Sequence, residues 1–289
     1  MKADSIADRN IATLYDQLSR FMIWQNYFQF GRPINTPTIH KTLYIPQEVS
    51  NLYDKQQPGE YMNDVVFQTA LPGNEPVVLD AGCGFGSTIF RWYSKSPGKY
   101  TGYSLSSFQV KKARQEAARR RISEHCQFFL KSYNDPIEEK YQFIIAIESL
   151  IHANDLQRAI SNLGQALQPG GKLIIVDDMA ETDPEWHDPD LDLLKKCWSL
   201  SQFRTQQQYL DIFKINHLKL TDQKDFTAQV RVSTAEKLKC KKASLKSLYK
   251  ILPIKNVRFI INAYLGGFAL EELYRRNKVK YILLAGQKE

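Results

Sequence analysis

Three glycines and an acid follow one another in the segment VVLDAGCGFG, residues 77–86. An apolar run ends at Asp80, and Gly82, Gly84 and Gly86 occupy alternate positions after it. Glycine lacks a Cβ atom, so its backbone can approach a ligand closely and adopt positive φ angles. The pattern therefore predicts a strand followed by a tight, ligand-binding turn.

The ligand of this turn must tolerate a nearby carboxylate. Gly82 and Gly84 match the first two glycines of the dinucleotide pattern G-x-G-x-x-G, but its third glycine is replaced by Ser87. A phosphate loop ending in Gly-Lys is also absent. The carboxylate of Asp80 repels a pyrophosphate and attracts an amino or sulfonium group. S-adenosyl-L-methionine carries both of these groups and no phosphate, so it is the cofactor that we expect.

Four motifs occur in order along the chain: DAGCGFG (80–86), GYSLSSFQ (102–109), AIESLIH (146–152) and LQPGGKLIIVDD (167–178). With them, residues 75–180 resemble the class I S-adenosyl-L-methionine-dependent methyltransferases, in particular the group of tocopherol methyltransferases, sterol C-methyltransferases and cyclopropane fatty acid synthases. The resemblance implies a Rossmann-like α/β fold, with a seven-stranded, mostly parallel sheet, helices on both faces and a helical cap.

The resemblance also implies cofactor contacts at particular positions. Most class I enzymes end their second strand in an acid that binds the ribose; here Ser104 and Gln109 take that role. Ser132 and Tyr133 border the adenine, and Tyr15 closes over the cofactor. Alternatively, Ser104 is a helix cap, Gln109 an exposed helix residue, Tyr133 a surface residue and Tyr15 a core residue. The expected cofactor-binding set is Tyr15, Asp80, Gly82, Cys83, Gly84, Gly86, Ser104, Gln109, Ser132, Tyr133 and Ile147.

Glu148 and His152 are the candidate catalytic residues. They are four apart, hence on one face if a helix starts there, and they follow the fourth predicted strand. An alkene acceptor becomes a carbocation on methylation, which Glu148 can stabilise while His152 takes the proton. Otherwise Glu148 caps the next helix and His152 packs beneath it. Cyclopropane synthases and tocopherol methyltransferases have Glu where this chain has Ile151, which argues against cyclopropanation and favours an apolar acceptor.

The elements that position these residues alternate between strand and helix. Apolar strands are predicted at 77–80, 100–104, 126–130, 143–147 and 172–178, with helices at 106–121 and 155–167. Such alternation predicts a parallel sheet covered on both faces, with ligands at the carboxyl ends of its strands. Later in the chain we expect a helical stretch near 190–213, a strand at 216–223, a helix near 256–276 and a strand at 280–286.

We expect a single domain over 1–289. Residues 1–74 form its helical cap, with Phe21, Trp24 and Phe28 on one helical face and Tyr27 beside them. Residues 75–183 form the cofactor-binding core. Residues 184–289 supply the late strands and a basic helical insertion over the substrate pocket.

The bulk composition limits the function classes. A hydrophobic fraction of 43% in 289 residues is enough for a sizeable core. No run of eighteen apolar residues occurs, and the polar segment MKADSIADRNIATLYDQ argues against a secretion signal. The four cysteines lie far apart, which favours a reducing, cytoplasmic location. The five histidines are scattered, so we expect no metal site.

The formal charge of +8 is concentrated at residues 231–258, where nine basic residues face one acid. This segment is a lysine-studded cap helix with a solvated face, a membrane-surface helix, or a site for an acidic substrate. We do not expect a nucleic acid partner, because the Asn/Asp-Pro-Pro-Tyr/Phe motif of base-modifying relatives is absent after the fourth strand. The oligomeric state is left open.

We therefore expect a methyltransferase that acts on a small, largely apolar metabolite, such as an isoprenoid, a sterol-like compound or a polycyclic natural product. Carbon is the expected acceptor atom, and nitrogen or oxygen are the alternatives. Two other functions remain open: a protein that keeps the cofactor fold without transferring methyl groups, and a peripheral membrane or RNA-binding protein that uses the basic segment.

Overall fold

The computed structural model of the chain describes residues 6–30, 37–54, 58–182, 187–251 and 255–289. At 6–7, 26–30 and 255–256 it describes the backbone only, so the side chains of Tyr27 and Phe28 lie outside the description. Of the aromatic face predicted for the first helix, Phe21 and Trp24 are seen in contact, with ring centroids 5.9 Å apart.

A seven-stranded sheet with the order β3-β2-β1-β4-β5-β7-β6 lies at the centre. Six strands are parallel, and β7 runs antiparallel to its neighbours β5 and β6. The strands are β1 (Val77–Ala81), β2 (Lys99–Ser104), β3 (Cys126–Leu130), β4 (Tyr141–Ile147), β5 (Leu167–Ala180), β6 (Leu218–Asp225) and β7 (Val279–Lys288). The predicted fold class is confirmed. The strand order reverses between β1 and β4, which opens a crevice at their carboxyl ends.

Nine α-helices occur in the described ranges. They are α1 (Ile6–Phe30), α2 (Glu60–Ala70), α3 (Ser87–Lys95), α4 (Ser107–Arg119), α5 (Leu156–Ala166), α6 (Pro189–Trp198), α7 (Gln206–Ile215), α8 (Ala235–Ile251) and α9 (Lys255–Arg275). Four helices that follow loops begin at side-chain caps: Ser106 for α4, Asp155 for α5, Asp188 for α6 and Thr205 for α7. Each cap oxygen accepts a backbone N–H that the first helical turn leaves unpaired.

The helical stretch predicted near 190–213 is wrong as one element, because it contains two helices. Ser199 ends α6 in the left-handed region, with φ 55°, and α7 begins at a capping box formed by Thr205 and Gln208. The break turns α6 back towards α9. There, Cys197 packs with Ile261 in a small apolar cluster.

Apolar side chains fill both faces of the sheet. On one face α2, α3 and α9 pack over β1 and β5, and Trp92 is fully buried with its Nε1 donating to the Asn63 carbonyl at 3.0 Å. On the other face α5 and α7 cover β4 and β5 around Leu163 and Phe213. These two layers hold the carboxyl ends of the strands in place. No helix of the described ranges is long and apolar enough to cross a bilayer.

Candidate functional site

A cavity of about 580 Å³ opens at the carboxyl ends of β1, β2, β3 and β4. The loops that follow these strands form one side of it. Helices α1 and α9, Trp198 at the end of α6, and residues 39–42 and 230–231 form the other side. The cavity therefore lies in the crevice where the topology of the sheet predicts a ligand.

The glycine turn forms the part of the wall next to β1. Its three glycines all have positive φ: 114° at Gly82, 53° at Gly84 and 79° at Gly86. A Cβ at Gly82 would lie 2.4 Å from the Ser149 Cβ. Gly82, Cys83 and Gly84 line the cavity, whereas Gly86 packs against Phe128 in the core. The turn thus requires glycine both for its backbone angles and for close packing.

Asp80 ends β1 immediately before this turn and is 3% exposed. Asp80 is not among the residues that line the cavity, although it comes two residues before the lining residue Gly82, and its side chain forms no hydrogen bond or ion pair with a described residue. Burial raises the pKa of the carboxyl from 3.8 to about 7. A buried acid without a compensating cation is a place where a bound amino or sulfonium group would be stabilised.

Ser104 and Gln109 both line the cavity and are buried. The Ser104 hydroxyl donates to Gln109 Oε1 at 2.9 Å, and Gln109 Nε2 donates to the Ser19 hydroxyl of α1 at 3.0 Å. The exposed-residue alternative for Gln109 is therefore wrong, and so is the cap alternative for Ser104, because Ser106 caps α4. The two side chains form a polar chain that joins β2, α4 and α1 at the cavity wall.

Ser132, Tyr133 and Ile147 also line the cavity. Tyr133 is 9% exposed and its hydroxyl donates to the Ser149 carbonyl at 2.8 Å, so the surface alternative for this tyrosine is wrong. Ser132 accepts a hydrogen bond from the backbone of Asn134. The structure therefore places Ser132 and Tyr133, the two residues expected around an adenine, in the cavity wall together with Ile147.

Helix α1 covers the site through buried polar contacts. The Tyr15 hydroxyl lies 2.7 Å from His152 Nε2. The next residue, Asp16, accepts hydrogen bonds from the Ser106 hydroxyl at 2.5 Å and from the Phe108 backbone N–H at 3.1 Å, at the start of α4. Tyr15 thus lines the cavity, and α1 is held against the start of α4 and against His152.

His152 is 7% exposed and Glu148 is partly buried, and both line the cavity. The expectation that they share a helical face is wrong. Glu148 has a φ of 51°, and only a short 3₁₀ turn, Leu150–His152, follows it. Burial lowers the pKa of His152 to about 4, although the Trp198 backbone partly offsets this effect. At neutral pH His152 is therefore uncharged.

The Glu148 carboxylate is held from three parts of the chain. Its Oε1 accepts hydrogen bonds from the Lys41 backbone N–H and from the Tyr281 hydroxyl, each at 2.6 Å. The Glu148 backbone N–H donates to the Val176 carbonyl of β5 at 2.7 Å. Its Oε2 has no hydrogen-bond partner among the described residues. A left-handed backbone at a non-glycine residue is strained, and here the surrounding contacts fix it at the cavity wall.

Lys41 and Asp178 are site residues that the sequence did not reveal. The Lys41 ammonium lies 3.2 Å from Asp178 Oδ2 and faces the ring of Tyr281. Burial lowers the pKa of Lys41, but the nearby carboxylates of Asp178 and Glu148 together raise it by more, so the net shift of the pKa is upward. Tyr274 donates to the other oxygen of Asp178. Asp178 ends the quoted motif LIIVDD, which was a usable signal, whereas nothing in the sequence around Lys41 marked it.

The wall opposite the glycine turn is apolar. It consists of side chains from α1, α6 and α9, including Leu18, Met22, Trp198, Phe268 and Leu270. Ile151 also lines the cavity, at the position where the relatives named above carry Glu. The cavity therefore has a polar end with carboxylates and an apolar wall. Among the described residues no group of three or more His, Cys, Asp or Glu is arranged to hold a metal.

S-adenosyl-L-methionine fits the residues present. The side-chain-free surface of Gly82 and Gly84 and the hydroxyl and amide groups of Ser104 and Gln109 line the cavity, and the buried, uncompensated carboxyl of Asp80 immediately precedes the glycine turn. They offer the acid, the close backbone approach and the uncharged hydrogen-bonding groups that a sulfonium, an amino acid and a ribose require.

Comparison with known proteins agrees with this architecture. A family model described as a methyltransferase domain matches residues 73–217. The O-methyltransferase cnsE of Penicillium expansum is 29% identical over 43% of this chain and 47% of its own length. Methyltransferase GfsG of Streptomyces halstedii is 25% identical over 58% of each chain. The chloroplastic tocopherol O-methyltransferase of Arabidopsis thaliana is 27% identical over 49% of this chain and 43% of its own length.

The chain thus spans about half the length of the curated relatives it matches. Solved structures resemble it over nearly all of its length. The [4+2]-cyclase SpnF superposes with a TM-score of 0.73 at 17% identity, covering 96% of this chain and 94% of that chain. Geranyl diphosphate C-methyltransferase from Streptomyces coelicolor superposes with a TM-score of 0.72 at 15% identity and covers both chains fully. At these identities the likeness shows the fold alone.

Proposed function

Because this chain belongs to the methyltransferase domain family of S-adenosyl-L-methionine-dependent enzymes, we propose that it transfers the cofactor's methyl group to a small, neutral, largely apolar metabolite. Carbon is the preferred acceptor atom. The relatives named as O-methyltransferases and the neighbour named as a C-methyltransferase support the small-molecule class and leave oxygen, or nitrogen, as the alternative.

The observation that carries this proposal is the position of the Glu148 carboxylate at the cavity wall. Hydrogen bonds from Lys41 and Tyr281, each more than 100 residues away in the sequence, hold it there. When bound, the cofactor supplies an activated methyl group on a positively charged sulfur. A neutral acceptor takes on that positive charge as it is methylated. A fixed carboxylate at the acceptor end stabilises the charge without having to reorganise.

The charges around Glu148 favour a neutral acceptor over an anionic one. Glu148 and Asp178 bring two carboxylates to this end of the cavity, and Lys41 brings one ammonium. An acceptor carrying a phosphate or carboxylate at its reacting end would meet this excess of negative charge. Lys41 and Tyr281 act as positioning residues, because each donates one hydrogen bond to the same oxygen of Glu148.

His152 fits a positioning role better than the role of general base first expected for it. A pKa of about 4 makes the imidazole a weak base at neutral pH, and its Nε2 is already bonded to the Tyr15 hydroxyl. We propose that His152 holds Tyr15, and with it α1, over the cavity and so excludes water from the bound molecules. Glu148 is then the group best placed to receive a proton that a methylated acceptor loses.

The apolar wall of α1, α6 and α9 matches the rest of such an acceptor. An isoprenoid, sterol-like or polycyclic scaffold would bury its hydrocarbon surface against Met22, Trp198 and Phe268. Ile151 extends this wall towards the glycine turn. The cofactor contacts proposed from the sequence remain Asp80, the glycine turn, Ser104, Gln109, Ser132, Tyr133, Ile147 and Tyr15.

Single-turnover methyl transfer from labelled cofactor to a pool of isoprenoid alkenes, sterols, polycyclic phenols and aliphatic amines tests this function. With an accepted substrate, Glu148→Gln should lower the transfer rate by roughly 10²-fold, because it keeps the shape and removes the charge. Glu124→Gln, at an exposed surface position, is the matched control and should transfer at the wild-type rate. Wild-type transfer by Glu148→Gln would remove this carboxylate from the mechanism.

A protein that binds the cofactor without using its methyl group is the alternative. The similarity of this fold to that of a protein named as a [4+2]-cyclase is the observation that favours this alternative. Cofactor binding by calorimetry, together with the absence of labelled product across the whole pool, would favour it. Product formation with any member of the pool excludes it.

A further inference from the structure

The acceptor end of the cavity contains an ammonium group whose hydrogen-bonding capacity is only partly used. A lysine ammonium has more than one N–H donor, and among the described residues Lys41 donates its side chain only to Asp178, at 3.2 Å. The side chain of Lys41 is 15% exposed and lines the cavity. The ring centroids of Tyr274 and Tyr281 lie 5.5 and 5.2 Å from its nitrogen, so both ring faces stabilise the charge. An N–H donor of Lys41 is therefore left for a molecule in the cavity.

The Lys41 ammonium is oriented independently of the contact that fixes Glu148. Asp178 is buried, and it pairs with the ammonium through Oδ2 while its Oδ1 accepts a hydrogen bond from the Tyr274 hydroxyl. Glu148, by contrast, is bonded to the backbone N–H of Lys41 and not to its side chain. A substitution of the Lys41 side chain therefore removes the ammonium and keeps the backbone donor that holds Glu148.

Glu148 has the opposite kind of unused capacity. Its Oε1 accepts two hydrogen bonds, and its Oε2 accepts none from the described residues. Tyr281 lies between the two groups, because its hydroxyl donates to Glu148 and its ring faces the Lys41 ammonium. Against the lowering effect of burial, the charges of Asp178 and Glu148 raise the pKa of Lys41, as expected for neighbouring opposite charges. One end of the cavity thus presents an unused donor beside an unused acceptor.

A hydroxyl group is the ligand that uses both, because it accepts a hydrogen bond from an ammonium and donates one to a carboxylate. A ketone would use only Lys41, a protonated amine would use only Glu148, and an alkene would use neither. We propose that Lys41 and Glu148 form a hydroxyl-binding subsite, that Lys41 determines acceptor specificity, and that the acceptor is a phenol or an enol. The apolar wall then takes the rest of a polycyclic phenol.

The transfer step balances with this subsite. The O–H proton of the acceptor passes to Glu148 Oε2, and its electron pair makes the oxygen, and the carbon conjugated with it, nucleophilic. One of these two atoms forms the bond to the methyl carbon, and the electron pair of the broken carbon–sulfur bond stays on sulfur. The Lys41 ammonium stabilises the negative charge that develops on the oxygen. This step rests on the proposed function, whereas binding of the hydroxyl does not.

Calorimetry on the complex with S-adenosyl-L-homocysteine tests the subsite without turnover. The probes are 2-naphthol and 9-phenanthrol, each paired with the hydrocarbon that carries a methyl group in place of the hydroxyl. The wild type should bind each phenol roughly 10-fold or more tightly than its methyl analogue, as expected for a hydrogen bond to a charged group. Lys41→Met should bind the two members of a pair with similar affinity, and Lys41→Arg, which keeps a charged donor, should retain most of the preference.

The matched control is Lys242→Met. Lys242 is 17% exposed, pairs with Asp190 at 2.5 Å and lies outside the cavity wall, so this variant should keep the full preference for the phenols. Lys41→Met leaves the Asp178 carboxylate without its cation, which can destabilise the fold. The variant Lys41→Met/Asp178→Asn removes both charges and should show the same loss of preference.

Three results would overturn the subsite: no phenol binding by the wild type, equal binding of phenol and methyl analogue by the wild type, or an undiminished preference in Lys41→Met. Lys41 and Asp178 would then form an ion pair with a structural role only.

Transfer assays with the same variants separate this test from the proposed function. A hydroxyl preference in binding, without labelled product from any member of the acceptor pool, would support the subsite and refute the methyl transfer. Labelled product from an alkene, without a hydroxyl preference in binding, would support the methyl transfer and refute the subsite.

Discussion

Replacing Asp80 with asparagine should stabilise the ligand-free protein at pH 8 and, in the same variant, weaken the binding of S-adenosyl-L-methionine. The two effects have one cause. Asp80 is buried without a compensating charge, so its ionised form costs stability until a cationic group binds beside it. Asparagine has the same shape and carries no charge at any pH of interest.

The magnitude follows from the pKa. The folded-state pKa of Asp80, about 7, lies above its ordinary value of 3.8. Stability from such a group is fully present below pH 3.8 and is lost as the pH rises towards 7, at about 1.4 kcal/mol per pH unit, because the unfolded chain releases a proton that the folded protein keeps. Between pH 5 and pH 8 the wild type should therefore lose roughly 2 to 3 kcal/mol relative to Asp80→Asn.

The assay is urea unfolding of both proteins without ligand at pH 5 and pH 8, followed by cofactor titration in a calorimeter at pH 8. Any effect of the asparagine amide itself on the free energy of unfolding is the same at both pH values, so it cancels when the two values are compared. The difference in the free energy of unfolding should favour the variant more at pH 8 than at pH 5. Cofactor affinity should fall by about 10- to 100-fold, which is the range expected for losing a charged hydrogen-bond partner.

A difference in unfolding free energy that is the same at both pH values would refute the argument from burial. Wild-type cofactor affinity in a variant stabilised at pH 8 would refute only the assignment of Asp80 to the ligand. The two outcomes are independent, so the experiment tests the electrostatics of the site separately from its function.

Three further predictions address the rest of the site. Gly84→Val should abolish detectable cofactor binding in calorimetry, since φ is 53° at this position and a new Cβ would lie 3.1 Å from the Ile39 side chain. A melting curve should show that the variant is still folded. Wild-type affinity would contradict the placement of the ligand at this turn. Gln109→Ala should weaken cofactor binding by about 1 kcal/mol or slightly more through the lost polar chain, and an unchanged dissociation constant would assign that chain to α1 packing alone. Tyr15→Phe and His152→Phe should lower the transfer rate by similar factors, because both break the same 2.7 Å contact. The double variant should therefore be no slower than either single variant. Additive losses in the double variant would show that the two residues have separate roles.

The sequence by itself determined the elements of the core. Apolar runs of strand length and the glycine turn act locally, because strand burial and a positive φ depend on the residues of one short segment. The predicted strand 126–130 is therefore matched residue for residue by β3, and the motif 80–86 lies at the expected crevice. The cavity wall also includes most of the residues expected to bind the cofactor, because strand ends of a parallel sheet meet at one edge.

Tertiary structure decided the acceptor end of the cavity. The left-handed backbone of Glu148 is stable only because Lys41, 107 residues earlier, and Tyr281, 133 residues later, bond to its carboxylate. The helical face expected from local spacing does not form there. The low pKa of His152 likewise arises from burial under α1, which no spacing of residues reveals. Contacts of this range form only when the whole chain has packed, so their partners and the charges they fix are properties of the folded protein.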